Sequence, residues 1–253
     1  MRRRRKNSGF TLIEMAMVLL ILGLLTRAAI MPLTSVIEHR KQQAVDTQLQ
    51  QIRQAMLSHL VAYGALPCPV AMTHGGLHRL PTTPDLPSGE VTAMRWQPCL
   101  SHQGGVPAVP LGLSGALSSS SALLDPWGQE YIYSVSLNST TVDGELGPEI
   151  WTTPGTASHA GLSQLYADIK ICSKPSRNGC PASRIRADQI AFLVLSPGED
   201  NSSRGFQAEN LDGDQDFVLL PDSVAPHEQF DDRLVWGTAS EMAYWLLRMG
   251  WLP

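Results

Sequence analysis

Three aspartates at alternate positions form the first group of residues whose spacing suggests chemistry. Asp212, Asp214 and Asp216 alternate around a glycine, shortly after Glu209. Alternate carboxylates at a turn can converge on Ca²⁺, a hard ion that takes oxygen ligands. The EF-hand pattern is incomplete, because no glutamate stands at its twelfth position. We therefore take these three aspartates as candidate calcium ligands, with a solvated acidic turn as the alternative interpretation.

The N-terminal segment holds a second group, in which a single carboxylate stands inside an apolar run. Four arginines and a lysine at positions 2–6 precede the 17 residues from Phe10 to Thr26, whose only charge is Glu14. The apolar run from Phe10 to Leu33 has 24 residues if Glu14 and Arg27 are tolerated. A helix needs about 20 apolar residues to cross a bilayer. The basic cluster should stay in the cytoplasm, which places the rest of the chain outside.

Glu14 distinguishes between three hypotheses for this segment: a secretory signal, a plain membrane anchor and a prepilin leader. A carboxylate near the membrane centre costs about 2.5 to 3.5 kcal/mol on insertion scales. A signal peptide or a plain anchor gains nothing from that cost. An intramembrane carboxylate indicates a functional role, and it requires a partner.

The residues Gly9-Phe10-Thr11-Leu12-Ile13-Glu14 resemble the processing site of type IV pilins and type II secretion pseudopilins. The resemblance implies that a prepilin peptidase cuts between Gly9 and Phe10 and methylates the new N-terminus of Phe10. It further implies that Glu14 pairs with the Phe10 ammonium of a neighbouring subunit during assembly. Such a pair offsets the cost of burying either charge alone.

Four cysteines, an even number, lie in a domain that we expect to be exported, which predicts disulfides. Three pairings are open. The short separation favours Cys172 with Cys180, which leaves Cys68 with Cys99 to fasten a proline-rich segment. Zinc is the alternative, but the sequence has no Cys-x-x-Cys pair and no close Cys-His spacing.

Composition limits the class of protein. The 253 residues are 43% hydrophobic and 17% charged, which excludes a disordered, collagen-like or coiled-coil chain. Five of the 19 basic residues precede Gly9, so the chain after Gly9 carries 14 basic and 23 acidic residues and a formal net charge of −9. An acidic body argues against nucleic-acid binding by the folded part, because phosphate contacts need clustered Lys and Arg.

Periodicity predicts an α+β fold. We expect one helix over 11–63, bent or broken near Pro32, and a stripe of apolar residues on its second half that packs on an antiparallel sheet. The stripe is Val45, Leu49, Ile52, Met56 and Leu60. Alternating or apolar runs predict strands at 130–137, 168–172, 189–195, 216–220 and 233–236, and a terminal helix at 238–249. The run 189–195 is the expected central, buried strand.

The predicted organisation has four parts: a leader at 1–9, a membrane or filament-core helix at 10–33, a packed helix at 34–65 and a β-rich periplasmic domain at 66–253. The last part begins with a long Pro/Gly-rich loop that extends to Gly128. Within it, Asp125-Pro126-Trp127-Gly128 resembles the turn that opens the sheet in many pseudopilins.

The resemblance implies a structural, minor subunit of a type II secretion pseudopilus or a type IV pilus. The subunit waits in the bacterial inner membrane as a single-pass protein and then enters the filament. Its partners would be the prepilin peptidase, other pilin subunits, the inner-membrane assembly platform and membrane lipid. No catalytic constellation is evident, so we expect no enzyme. The alternative of a different class is a membrane-tethered periplasmic binding module, for which Glu14 would be dispensable.

Overall fold

The computed structural model describes residues 11–70, 99, 101–137, 149–157, 161–162, 165–174, 179–199, 207–221 and 230–252, without the side chains of 25–35. The chain divides into two compact units, Met1–Ala44 and Val45–Pro253. The fold is α+β, an N-terminal helix followed by a curled mixed sheet.

Helix α1 spans Leu12–Tyr63, a total of 52 residues, which confirms the predicted helix and shows that it continues across Pro32. It ends where Gly64 adopts a positive φ of 69° and donates its N–H to the carbonyl of Leu60 at 2.8 Å. Glycine is favoured at this position because a Cβ strains the left-handed conformation.

The sheet has six strands: β1 Gln103–Gly105, β2 Ile132–Val135, β3 Ile169–Cys172, β4 Ile185–Ser196, β5 Asp216–Val218 and β6 Arg233–Thr238. Their order across the sheet is β1-β2-β4-β3-β5, with β6 paired to β4. All five predicted strands are present, and β1 is an addition, since it lies inside the segment that was predicted to be a loop. The residues from Ile190 to Leu195 are fully buried, which confirms the predicted central strand.

The prediction of a purely antiparallel sheet is wrong, because β3 and β5 pair in parallel. Strands β3 and β4 are antiparallel neighbours, and the chain after β4 crosses to the far side of β3 instead of turning back beside β4. The chain reverses direction between β3 and β4 and again between β4 and β5. Strand β5 therefore runs in the same direction as β3 and pairs with it in parallel, which makes the sheet mixed.

The predicted apolar stripe of α1 is confirmed: its five members are at most 1% exposed. They belong to a hydrophobic cluster that includes Tyr131 and Tyr133 around β2, and Phe192 and Val194 of β4. The hydroxyl of Tyr131 donates to Gln48 Oε1 at 2.8 Å, which fixes one point of contact between helix and sheet. A second cluster covers the other face of the sheet, through Ile132, Ile169, Ile171, Ile190, Leu193, Leu195 and Phe217.

The described part of the chain also contains two short α-helices after α1. Helix α2, Glu149–Thr152, was not predicted. Helix α3, Ala239–Arg248, confirms the predicted terminal helix; Thr238 is its N-cap and accepts the N–H of Glu241 at 3.3 Å. Met242 and Leu246, one turn apart, bury its inner face in the first cluster.

The turn at Asp125 forms as its sequence predicts. Gly128 has a φ of 85°, and Asp125 Oδ1 accepts the N–H groups of Trp127 and Gln129, each at 2.9 Å. Its other oxygen accepts the hydroxyl of Ser196 at 2.8 Å, so the turn is joined to the end of β4. Burial raises the pKa of Asp125, and the hydrogen bonds it accepts oppose that shift.

Candidate functional site

The start of α1 is closed by a reciprocal pair of hydrogen bonds. The N–H of Glu14 donates to Thr11 Oγ1 at 3.3 Å, and Glu14 Oε2 accepts the N–H of Thr11 at 3.4 Å. This is a capping box, in which a Thr and a Glu three residues apart satisfy N–H groups at the start of a helix. The predicted assembly residue therefore has a local structural role as well. Gly9 and Phe10, the predicted processing residues, lie outside the described residues.

The side chains on both sides of Glu14 in the sequence form an apolar surface around the helix. Ten large apolar side chains between Leu12 and Leu24 are 43 to 90% exposed. A helix that is apolar all round requires an apolar environment, either a membrane or other helices. The first turns of α1 therefore carry an exposed apolar surface that requires such an environment.

Within the described part of the chain, no helix has a stretch both long and apolar enough to cross a membrane. The predicted span 10–33 includes Phe10 and the side chains of 25–33, which lie outside the described residues.

The cysteines are joined as the sequence favours, Cys68 to Cys99 and Cys172 to Cys180. The first bridge joins the segment after α1 to Cys99, four residues before the start of β1. The second joins the end of β3 to the segment that leads into β4. Two bridges contribute about 2 to 4 kcal/mol each to stability in the chain-entropy description.

The acidic turn brings together a different set of carboxylates from the predicted one. Oxygens of Glu209, Asp212 and Asp214 lie within 4.8 Å of one another and can face one cation. Asp216 has another partner, because its Oδ2 accepts the N–H of Cys180 at 2.8 Å. Glu209 was not among the predicted ligands; its signal in the sequence is its position one helical turn before Asp212, in the 3-10 turn Glu209–Leu211.

Local hydrogen bonds explain the alternate spacing of the aspartates. Asp212 Oδ1 accepts the N–H of Asp214 at 3.2 Å, and Asp214 Oδ1 accepts the N–H of Asp216 at 2.7 Å. Each aspartate thus stabilises the turn two residues on, as Asx turns do. This arrangement supports the alternative interpretation, a structured acidic turn, without requiring an ion.

Electrostatics in the acidic turn favour a cation nonetheless. Burial, and then the charges of Asp212, Asp214 and Asp216, raises the pKa of Glu209. The pKa of Asp214 is raised for the same two reasons, and its hydrogen bond from Asp216 opposes the shift. Carboxylates that repel one another are stabilised by a divalent ion, so the three-oxygen set fits Ca²⁺ chemically while it supplies fewer ligands than Ca²⁺ usually takes.

Asn210 is the residue that sequence reasoning missed. Its side chain is fully buried, its Oδ1 accepts the N–H of Val218 at 2.6 Å, and its Nδ2 donates to the carbonyl of Val218 at 3.1 Å. Nδ2 also donates to Asp232 Oδ2 at 2.6 Å. The side-chain amide thus pairs with β5 as a neighbouring strand would, and it holds the acidic turn to the segment before β6. No periodicity in the sequence indicates this role.

A small cavity lies between α1 and the segments that lead out of β5 and into β6. Its volume is about 240 Å³, and its lining includes Leu49, Leu219, Leu234, Asp46 and Arg233. Pockets that hold drug-sized ligands measure about 300 to 1,000 Å³. This cavity gives little support to the hypothesis of a small-molecule binding module.

Comparison with known proteins identifies the N-terminal segment. No curated protein and no solved structure matches the chain. A family model, the prokaryotic N-terminal methylation motif, matches residues 4–26, which include the last three basic residues of the leader, Glu14 and the exposed apolar turns of α1. The chain carries this motif, which is the hallmark of type IV pilins and pseudopilins and implies prepilin peptidase processing, assembly with other pilin subunits and, in pilins, a membrane-anchored N-terminal helix.

Proposed function

We propose that this chain is a structural, minor subunit of a bacterial type II secretion pseudopilus or type IV pilus. The prepilin peptidase cuts between Gly9 and Phe10 and methylates Phe10. The apolar start of α1 holds the subunit in the inner membrane, with the second unit in the periplasm, until the assembly platform passes it into a filament. The observation that carries this proposal is the methylation motif at residues 4–26, together with the exposed apolar surface behind it.

The form of the second unit supports a minor rather than a major role. It contains two disulfides, a crossover sheet and a long proline- and glycine-rich segment. A major subunit must stack in very many copies, and bulky loops hinder close stacking. We propose that the subunit serves assembly and has no catalytic activity of its own. The ratio of this chain to the most abundant subunit in sheared filaments, by quantitative mass spectrometry, tests the minor role, and a ratio near one contradicts it.

The first experiment is mass spectrometry of the mature N-terminus, on protein from the native membrane. We expect Phe10 as the first residue, carrying one extra methyl group. An intact Met1 would leave a plain anchor, and a start near Ala29 would indicate a signal peptidase product. Either result contradicts the proposal.

Glu14 then separates a filament subunit from a tethered binding module. Glu14→Gln removes the charge but keeps an oxygen that can complete the capping box, whereas Glu14→Ala removes both. If the charge pairs with a neighbouring ammonium, both variants lose filament incorporation to a similar degree. If Glu14 serves only as a cap, the Gln variant behaves as the parent does.

Glu38→Gln is the matched control, since it removes one negative charge from the same helix outside the motif. It should enter filaments at the parental level. Parental incorporation of Glu14→Ala would contradict the role proposed for the Glu14 charge. Absence of the parent chain itself from purified filaments would contradict the filament proposal and favour the tethered module.

A further inference from the structure

The C-terminal end of the second unit carries a concentration of exposed apolar side chains. Among the described residues after Val45, eight large apolar side chains are exposed, and five of them lie at the end of α1 or on α3 and the residues that follow it. We call this set the C-terminal apolar surface: Tyr63, Tyr244, Leu247, Met249 and Trp251. Contiguous apolar patches on soluble domains mark interaction sites.

The C-terminal apolar surface is held in place by the fold. Trp251 Nε1 donates to the carbonyl of Val61 at 3.0 Å, and the ring of Trp251 lies against Gly64. Tyr244 and Leu247 are three residues apart on α3 and share its outer face, opposite the buried Met242. The apolar surface is therefore a fixed feature and not a frayed end.

Charges at the two ends of α3 make its outer face complementary to itself. Arg248 is exposed and donates to the hydroxyl of Tyr244 at 3.2 Å, with its guanidinium 5.6 Å from the ring centroid of Trp245. Glu241 is at the other end, where Arg53 donates to its Oε1 at 2.5 Å. A carboxylate has a second oxygen, which can accept a hydrogen bond from another donor. Glu241 and Arg248 lie equally far along the helix from the Tyr244–Trp245 peptide bond.

Two identical α3 helices laid antiparallel therefore bring each Glu241 beside the Arg248 of the other copy, twice by symmetry. The same arrangement opposes the two helix dipoles and brings Tyr244 of each copy to the two-fold axis. An unrelated partner would have to match these charges by chance, whereas a second copy matches them by symmetry.

We propose that the C-terminal apolar surface docks a second copy of this chain through an antiparallel, two-fold contact of α3 with α3. The contact does not depend on filament entry. The contact is one short helix face against its copy, whereas a standard interface buries about 800 Å² per partner, so we expect a dimer that is weak in dilute solution. Confinement of two copies in one membrane raises their effective concentration and favours the contact.

Symmetric disulfide cross-linking of the full chain in detergent micelles tests this contact. Tyr244→Cys places a thiol beside the two-fold axis, and the four native cysteines are already paired. Val109→Cys is the matched control, because Val109 is an apolar residue of the same unit and is 74% exposed. Under mild oxidation we expect at least five times more cross-linked dimer from Tyr244→Cys than from Val109→Cys.

A second substitution tests the charges. Arg248→Glu in the Tyr244→Cys chain should lower the cross-linked fraction several-fold, whereas Arg248→Lys should largely preserve it. Tryptophan fluorescence melts verify that each variant is folded. Equal cross-linking at Tyr244→Cys and Val109→Cys would indicate association through the N-terminal helices alone and would overturn the proposal. Insensitivity to Arg248→Glu, or adducts of Tyr244→Cys with another protein only, would overturn it as well.

Discussion

Replacement of Asn210 by aspartate tests the buried network that holds the acidic turn. The side-chain amide of Asn210 makes three hydrogen bonds, two with the backbone of Val218 and one with the carboxylate of Asp232. Asn210→Asp keeps the shape and the acceptor toward the N–H of Val218. It replaces the Nδ2 donor by an oxygen that faces the carbonyl of Val218 and the buried carboxylate of Asp232, which is 2% exposed.

The expected loss of stability follows from those contacts. Each buried group left without a partner costs about 1 to 3 kcal/mol, and two such contacts are lost in Asn210→Asp. The new carboxylate also meets Asp232 in a buried site, where like charges oppose ionisation. We expect the free energy of unfolding to fall by about 4 kcal/mol at pH 7, at the upper end for single substitutions. Asn210→Ala should lose about 3 kcal/mol, because it removes contacts without adding a charge.

The pH dependence gives the sharper test. Burial and Asp232 raise the pKa of an aspartate at position 210 in the folded state, so its ionisation destabilises the fold at neutral pH. As pH falls through that raised pKa, the group takes up a proton and can again donate to Asp232. The deficit of Asn210→Asp should therefore shrink between pH 7 and pH 5, whereas the deficit of Asn210→Ala should not.

Tryptophan fluorescence during urea unfolding of the full chain measures this, because all six tryptophans follow Val45. Gln54→Glu is the control for an added negative charge at an exposed position of the same unit. If Asn210→Asp is as stable as Gln54→Glu at pH 7, or if its deficit grows as pH falls, the role assigned to the amide is wrong.

Three further substitutions test other parts of the second unit by the same fluorescence measurement. Gly64→Ala should lower the free energy of unfolding by about 1 to 3 kcal/mol, because the residue has a φ of 69° and a Cβ would lie 2.6 Å from the ring of Trp251. A Gly64→Ala chain as stable as the parent would contradict this prediction. Asp125→Ala should lose about 2 to 4 kcal/mol, since three donors lose their acceptor, and Asp125→Asn should lose less. Asp214→Asn should raise the free energy of unfolding by up to about 0.5 kcal/mol at pH 7, because the raised pKa of Asp214 means that its charge, beside Asp212, destabilises the fold. This gain in stability should vanish at a pH low enough to protonate Asp214. A loss of stability at pH 7 would contradict the prediction.

Local patterns account for what the sequence could predict. The period of the stripe from Val45 to Leu60 identifies the face of α1 that packs on the sheet, because every third or fourth residue of a helix shares a side. Alternation of residues along the sequence identifies β2 and β3, because successive side chains of a strand point to opposite faces of the sheet. The turn at Asp125 is predictable because one side chain accepts the backbone N–H groups that follow it.

Non-local pairing accounts for what the sequence could not predict. Strand β1 has three residues, two of them glycines, and it is held by pairing with β2 and by a bridge from Gly105 to Val70. The parallel pairing of β5 depends on where the chain crosses, which no period encodes. Asn210 acts through Val218 and through Asp232, which lies 22 residues further along the chain.

Within the candidate site, too, local spacing and non-local contacts give different answers for Asp216 and Glu209. The alternate spacing of the aspartates suggested that all three point to one ion. In the fold, Asp216 is the first residue of β5, and the disulfide at Cys180 brings a backbone N–H to its carboxylate. Glu209 joins Asp212 and Asp214 in the three-carboxylate set instead, because the 3-10 turn Glu209–Leu211 brings its carboxylate close to theirs. The contact between Asp216 and Cys180 cannot be predicted from the spacing of the aspartates.

In the subunit that we propose, Glu14 has a role at two stages, before assembly and during it. In the single chain, its carboxylate caps the helix through Thr11, and a negative charge in the first turn is favoured by the helix dipole. Glu14 is therefore stabilised before any partner is present. In the proposed filament, a neighbouring Phe10 ammonium competes with that cap, whose hydrogen bonds contribute about 1 kcal/mol. The same ammonium also neutralises a charge that costs about 2.5 to 3.5 kcal/mol in an apolar environment. We therefore expect the proposed assembly to depend on the charge of Glu14 rather than on the cap.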